Sequence, residues 1–98
     1  MAQTPEEWLR RAEAALKNGQ QQAALEILTQ GRTMHPESQV LARQSGFLRA
    51  AIGQMDAGIA DFRAAISLNP KDGLAHYYLG VVLWLAGQRD KSIRELRY

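Results

Sequence analysis

The sequence predicts an all-α protein built as a solenoid of antiparallel helix pairs, and three observations support this fold class. Ala, Leu, Gln, Arg and Glu dominate the 98 residues, whereas the strand-favouring Val, Ile and Thr are scarce. The dipeptide Gly-Gln recurs at 34-residue intervals, beginning at Gly19, Gly53 and Gly87. The same interval separates two further pairs, Pro36 and Pro70, and Gly46 and Gly80. A fixed period of this length indicates a repeat architecture.

The first unit is predicted to contain two helices. Thr4 and Glu7 have the spacing of a capping box, and Pro5 occupies a position where a missing N–H costs nothing. The first helix therefore begins here and ends at Gly19, because glycine readily adopts the positive φ that terminates a helix. The second helix follows this turn and ends before Pro36, since proline disfavours a helical residue before it.

The same pattern predicts two further units. Their first helices end at Gly53 and Gly87, and the second helix of the middle unit ends before Pro70. The units span 5–38, 39–72 and 73–98, and the last falls about eight residues short of the full period. We therefore expect six helices in a single domain, with an apolar face on the third unit for a neighbouring repeat or a second copy to cover.

Residues at fixed positions in these units resemble the tetratricopeptide-repeat family. That family has Trp, Leu-Gly and Tyr in the first helix, Ala-x3-Phe in the second and a closing Pro. The matching residues are Trp8, Ala12, Ala24, Leu28 and Pro36, then Gly46, Gly58, Phe62, Ala65 and Pro70, then Leu79, Gly80 and Leu96. The resemblance covers essentially the whole chain and implies a right-handed superhelical solenoid. The sequence departs from the pattern at Ala42, His76, Arg49 and Gly31, and these departures are expected to weaken packing.

Small residues recur where the two helices of a unit should cross. They are Ala12, Gly46 and Gly80 on the first helices, and Ala24, Gly58 and Ser92 on the second helices. Small side chains let two helix backbones approach closely, so we expect bulk at these sites to be harmful.

The composition disfavours several classes of function. The formal charge is only +2, from 12 basic and 10 acidic side chains that are interspersed, as on a solvated helix face, so nucleic acid is not expected as a partner. No cysteine is present, which excludes disulfides and thiolate metal sites. No secretory signal or stretch long enough to span a membrane is evident, and a cytoplasmic location is the default expectation.

No catalytic, cofactor or metal site is predicted. His35 and His76 lack any ligand spacing and are interpreted as structural, and the glycines form no phosphate-binding loop. Asp56 and Asp90 lie 34 residues apart at the starts of second helices, so we interpret them as N-caps or as residues that compensate the helix dipole. The chain is therefore not expected to be an enzyme.

The resemblance implies that first helices line a concave groove, with positions 2, 5, 9, 12 and 13 of each unit facing inward. The residues assigned to a partner groove on this basis are Leu9, Leu16, Lys17, Arg43, Phe47, Tyr77, Val81, Trp84 and Leu85. Lys17 and Arg43 would accept an acidic flank of the partner. The alternative, that the apolar members are simply core, remains open at this stage.

The predicted function is that of a scaffold that binds an apolar or helical segment of another protein in this groove. Chaperone-binding members of the family grip a chain-terminal carboxylate with Lys and Asn, but the corresponding positions here carry Leu9, Glu13, Gln44, Leu74 and Tyr78. An acidic chain terminus is therefore disfavoured as the ligand. The competing hypothesis is a structural fragment of a longer repeat protein, whose apolar surfaces are covered by neighbouring repeats or by a homodimer through the third unit.

Overall fold

The computed structural model of the chain describes residues 4–87 and Glu95, and within them every regular element is an α-helix. The five helices are α1 (Pro5–Lys17), α2 (Gln21–Met34), α3 (Gln39–Ala51), α4 (Met55–Leu68) and α5 (Gly73–Leu85). The all-α prediction is confirmed for this part of the chain. The sixth predicted helix, Ser92 and Asp90 lie outside the described residues.

The glycines at the 34-residue period end the first helices, as predicted. Gly19, Gly53 and Gly87 have φ values of 73°, 91° and 83°. At the first turn, the Gln20 amide donates to the Ala15 carbonyl at 2.9 Å and the Gly19 amide donates to the Leu16 carbonyl at 3.0 Å. These two bonds form a Schellman motif, which satisfies carbonyls that the helix end would otherwise leave without a donor.

Side-chain caps begin each first helix, and they also recur every 34 residues. Thr4, Ser38 and Asp72 each accept a hydrogen bond from the amide three residues later. The N-cap residues of the second helices are Gln20 and Gln54, whose side chains make no capping hydrogen bond. Of the two interpretations of Asp56, the N-cap is therefore wrong and the residue that compensates the helix dipole is the one that fits. Asp56 lies in the first turn of α4, where its charge opposes the helix dipole.

The buried clusters join helices of neighbouring units. Trp8, Leu25, Leu28, Leu41 and Leu48 belong to one buried cluster around α1, α2 and α3. A second cluster contains Phe62, Leu79, Val82 and Leu83 and joins α4 to α5. None of the helices in the described part of the chain is long and apolar enough to cross a membrane.

Gly31 does not weaken the packing, contrary to the sequence-based expectation. A Cβ atom at Gly31 would lie 2.9 Å from Cγ of Trp8, a separation that real Cβ atoms do not tolerate. The absence of a side chain on α2 therefore makes room for the buried indole on α1. Gly31, at the position where the family prefers Ala, thus packs directly against Trp8.

Helices α3 and α4 approach each other closely at Gly46 and Gly58. A Cβ at Gly46 would lie 3.0 Å from the Gly58 carbonyl oxygen, and a Cβ at Gly58 would lie 2.9 Å from the Gly46 carbonyl oxygen. Both obstacles are backbone atoms, which cannot rotate away. The predicted crossing of small residues is present here.

We expect Gly58→Ala to lower the free energy of unfolding by about 1–3 kcal/mol, because the added methyl group forces α3 and α4 apart. The matched control is Gly73→Ala, where an added Cβ would meet nothing within 4 Å. That variant should be neutral, or more stable by about 0.4–1 kcal/mol. Urea unfolding of both variants provides the comparison, and equal stabilities would contradict the proposed crossing.

Candidate functional site

The first helices α1, α3 and α5 share a surface that contains two adjoining apolar pockets. The α1–α3 pocket has a volume of about 210 Å³ and is lined by Leu9, Ala12, Glu13, Leu16, Leu28, Gln44, Phe47 and Leu48. The α3–α5 pocket has a volume of about 260 Å³ and is lined by Phe47, Ala50, Ala51, Met55, Phe62, Tyr78, Val81, Val82 and Leu85. We call the two pockets together the first-helix groove.

Phe47 is the wall between the two pockets, since it lines both. Its side chain is 50% exposed, yet it is held by an aromatic contact, with its ring centroid 5.2 Å from that of Tyr78. Tyr78 in turn lies 5.9 Å from the fully buried ring of Phe62. This row of rings, in tilted arrangements typical of aromatic pairs, connects the exposed wall to the core.

The nine sequence-predicted groove residues divide into two groups. Leu9, Leu16, Phe47, Val81 and Leu85 line the pockets. Lys17, Arg43, Tyr77 and Trp84 do not. Tyr77 is 56% exposed and Trp84 is 47% exposed, so neither is an ordinary core residue.

Arg43 is not available as a free cation in the groove. Its Nη1 donates to both carboxylate oxygens of Asp72 at 2.9 Å, and its side chain is only 14% exposed. The same carboxylate caps α5 through the Ala75 amide. The pair therefore ties the start of α5 to α3 and helps to set the width of the α3–α5 pocket.

The two pockets differ in polarity. Glu13 and Gln44 line the α1–α3 pocket, whereas the described residues that line the α3–α5 pocket are all uncharged. Sequence reasoning missed Met55, Tyr78 and Val82 as lining residues. The periodicity of the sequence predicts which residues share a helix face. It does not predict which side chains extend into the space between two helices.

His76 has a structural environment. It is buried, with Nε2 lying 2.9 Å from the Pro70 carbonyl oxygen and Nδ1 lying 2.8 Å from Oε2 of Glu95. The described residues contain no group of three acidic or histidine side chains placed to hold a metal ion.

The stability losses caused by truncating Phe62 and Phe47 to alanine should distinguish a core residue from a groove residue. Phe62→Ala removes a fully buried ring and should cost about 3–5 kcal/mol of stability. Phe47→Ala removes a half-exposed ring, and we expect a loss of roughly 1–2 kcal/mol. Thermal or urea unfolding measures both. If Phe47→Ala destabilises the protein as much as Phe62→Ala does, Phe47 is a core residue and not a groove wall.

No family model matches the sequence. Over 61 residues, 62% of this chain, the sequence is 41% identical to cellulose synthase operon protein C of Komagataeibacter xylinus. The chain spans only 5% of the length of that protein.

Solved structures match far more of the chain. The second TPR of Spaghetti (RPAP3), bound to an HSP90 peptide, has a TM-score of 0.90 at 18% identity, covering 97% of this chain and 88% of that one. The Yersinia enterocolitica chaperone SycD, in complex with a peptide of the translocator YopD, has a TM-score of 0.89 at 17% identity, covering 98% and 73%. YrrB, a TPR protein with an unusual peptide-binding site, has a TM-score of 0.86 at 21% identity, covering 98% and 50%. Together with the 34-residue period, these similarities show that the chain has the tetratricopeptide-repeat fold.

Proposed function

We propose that this chain is a non-catalytic scaffold that binds an apolar segment of another protein across Phe47, with side chains of that segment in the two pockets of the first-helix groove. The single observation that carries the proposal is the half-exposed aromatic wall between two apolar pockets. Soluble proteins rarely expose contiguous apolar surface without a partner for it.

The similar structures support binding of a peptide, since the RPAP3 domain and SycD were each solved with one. The chemistry of this groove favours an apolar segment over an acidic chain terminus as the ligand. Arg43 is already neutralised by Asp72, and the α3–α5 pocket has no charged side chain among the lining residues between 4 and 87. Lys17, exposed in the last turn of α1, is the remaining predicted groove cation for an acidic flank.

The proposed pocket residues are Leu9, Leu16, Phe47, Val81 and Leu85, with Tyr77 and Trp84 as an aromatic surface beside them. Burying one Val- or Leu-sized side chain in each pocket contributes about 1.5–3 kcal/mol per side chain. This gain is partly offset by the entropy cost of association, so we expect affinities no tighter than about 1 μM.

The proposal includes a third helical unit over residues 73–98, after the units 5–38 and 39–72, and thus six helices in one domain. The helical conformation of Glu95 and its 2.8 Å contact with His76 support this arrangement. A second copy is the competing occupant, because Leu74, Tyr77, Trp84 and Leu85 are all exposed on α5.

The test is a selection from a random-peptide display library with the whole chain as bait. We expect the selected peptides to be rich in apolar residues and to bind Leu85→Asp at least about tenfold more weakly, because a carboxylate enters the α3–α5 pocket. Met34→Asp is the matched control: both residues end a helix, and they are 66% and 65% exposed, but Met34 lines neither pocket.

Equal binding of the selected peptides to both variants would contradict the proposed site. Light scattering of the unsubstituted chain across a wide concentration range tests whether a second copy occupies the groove. A mass of 10.9 kDa throughout supports a groove that is open to other proteins. A dimer that Leu85→Asp dissociates would instead assign the groove to self-association.

A further inference from the structure

The middle unit departs from its neighbour on the side of α3 opposite to Phe47. In the third unit, the equivalent residues are Leu79 and Leu83, both fully buried. In the middle unit these positions carry Ser45 and Arg49. Arg49 follows Phe47 by two residues, which places it about 200° around the helix. A polar cluster thus occupies a place where leucine packs well one repeat later, and replacing buried ions by apolar residues is often neutral or stabilising.

Asp61 on α4 is the centre of this cluster. Its Oδ1 accepts a hydrogen bond from Arg32 Nη1 on α2 at 2.7 Å, and its Oδ2 accepts from Ser45 Oγ on α3 at 2.7 Å. Arg49 Nε lies 3.0 Å from the same Oδ2. The Asp61 side chain is 12% exposed. The sequence-based interpretation of Asp61 as part of a solvated face is therefore wrong.

The cluster carries a surplus positive charge. Two guanidinium groups share one carboxylate, whereas Arg43 and Asp72 form a one-to-one pair. Arg49 makes no hydrogen bond of good geometry to any described residue, although its side chain is only 26% exposed and its Nε is buried. Guanidinium groups carry five N–H donors, and the partly exposed Arg49 has donors besides the Nε that lies next to Asp61. An anion would supply acceptors for these donors and offset the surplus charge.

An open cavity of about 260 Å³ lies beside the two guanidinium groups. It is lined by Thr29, Arg32, Thr33, Pro36 and Arg49. The two threonine hydroxyls donate to the Leu25 and Thr29 carbonyl oxygens in the same helix, at 2.8 and 3.1 Å. Hydroxyl groups rotate, so both can turn to donate to a ligand instead. We call this space the arginine cavity.

No described acidic side chain other than Asp61 neutralises the two arginines. Glu26 lines the adjoining cavity together with Arg49, but it forms no ion pair with any residue between 4 and 87. Pro36 and the two threonines are uncharged. The charge in the arginine cavity is therefore complementary to that of an oxyanion.

We propose that Arg32 and Arg49 bind an oxyanion, a carboxylate or a phosphate group, in the arginine cavity. This site is separate from the first-helix groove and lies on the opposite side of α3. Guanidinium groups bind both kinds of oxyanion through paired charge-assisted hydrogen bonds. Occupation of the site would neutralise the surplus charge and satisfy the donors of Arg49.

The test compares thermal unfolding midpoints of the whole chain in sodium phosphate and sodium chloride at equal ionic strength. A bound anion stabilises the folded state in proportion to its occupancy. We expect phosphate to raise the midpoint of the unsubstituted protein. We expect no specific rise for Arg49→Gln, which leaves Arg32 and Asp61 as a one-to-one pair and so should preserve the fold. Arg63→Gln, a 50% exposed arginine outside the cavity, is the control for lost charge.

An NMR titration with phosphate identifies the site directly. We expect saturable shifts of the Thr29, Thr33 and Arg49 amides with a dissociation constant on the order of 1–10 mM, weakened about tenfold or more in Arg49→Gln. If Arg49→Gln fails to fold, the titration of the unsubstituted chain alone still tests whether phosphate binds at these amides.

A parallel titration with sodium acetate distinguishes the sources of the oxyanion. Binding of both anions supports a site that accepts carboxylates, and binding of phosphate alone supports a site for phosphate groups. The proposal is overturned if neither anion gives saturable shifts at these amides. It is also overturned if phosphate raises the midpoints of all three proteins equally, because phosphate stabilises proteins generally by exclusion from their surfaces.

Discussion

The contact between the backbones of α3 and α4 at Gly46 and Gly58 positions the middle unit, on which both neighbouring units pack. A Cβ atom added to either glycine would lie within about 3 Å of the other glycine's carbonyl oxygen. The two helix backbones are therefore in close contact at this point. That approach brings α4 near enough for Phe62 to be fully buried. Phe62 supports Tyr78, and Tyr78 supports Phe47. The exposed wall of the groove thus depends on a crossing at Gly46, the preceding residue of the same helix.

Helix α3 therefore has two chemically different sides. One carries Phe47 between two apolar pockets, and the other carries Ser45 and Arg49 around the buried carboxylate of Asp61. Arg43, one turn before Phe47 and on the same side, is neutralised by Asp72. A helix whose sides carry such different chemistry is suited to contact different groups at once. An apolar segment and an anionic group could then be recognised without competing for the same residues.

Much of the fold could be predicted from the sequence because turns and caps are local. Gly19 ends a helix through its own backbone conformation, and Thr4 caps one through a neighbour three residues away. The assignment of Phe47 to a groove was implied by the resemblance to the tetratricopeptide-repeat family. The pairing of Arg43 with Asp72, 29 residues later, could not be predicted, because it depends on how two helices lie against each other. The same is true of the burial of Asp61, whose charge suggested a solvated position.

The central claim is that an apolar segment lies across Phe47 in the first-helix groove. Intermolecular nuclear Overhauser effects between a selected peptide and the methyl and ring protons of this chain test it most directly. The account predicts contacts from the peptide's apolar side chains to the Phe47 ring, to Leu9 or Leu16 on one side, and to Val81 or Leu85 on the other. Contacts confined to α2 and α4, with none to Phe47, would contradict it.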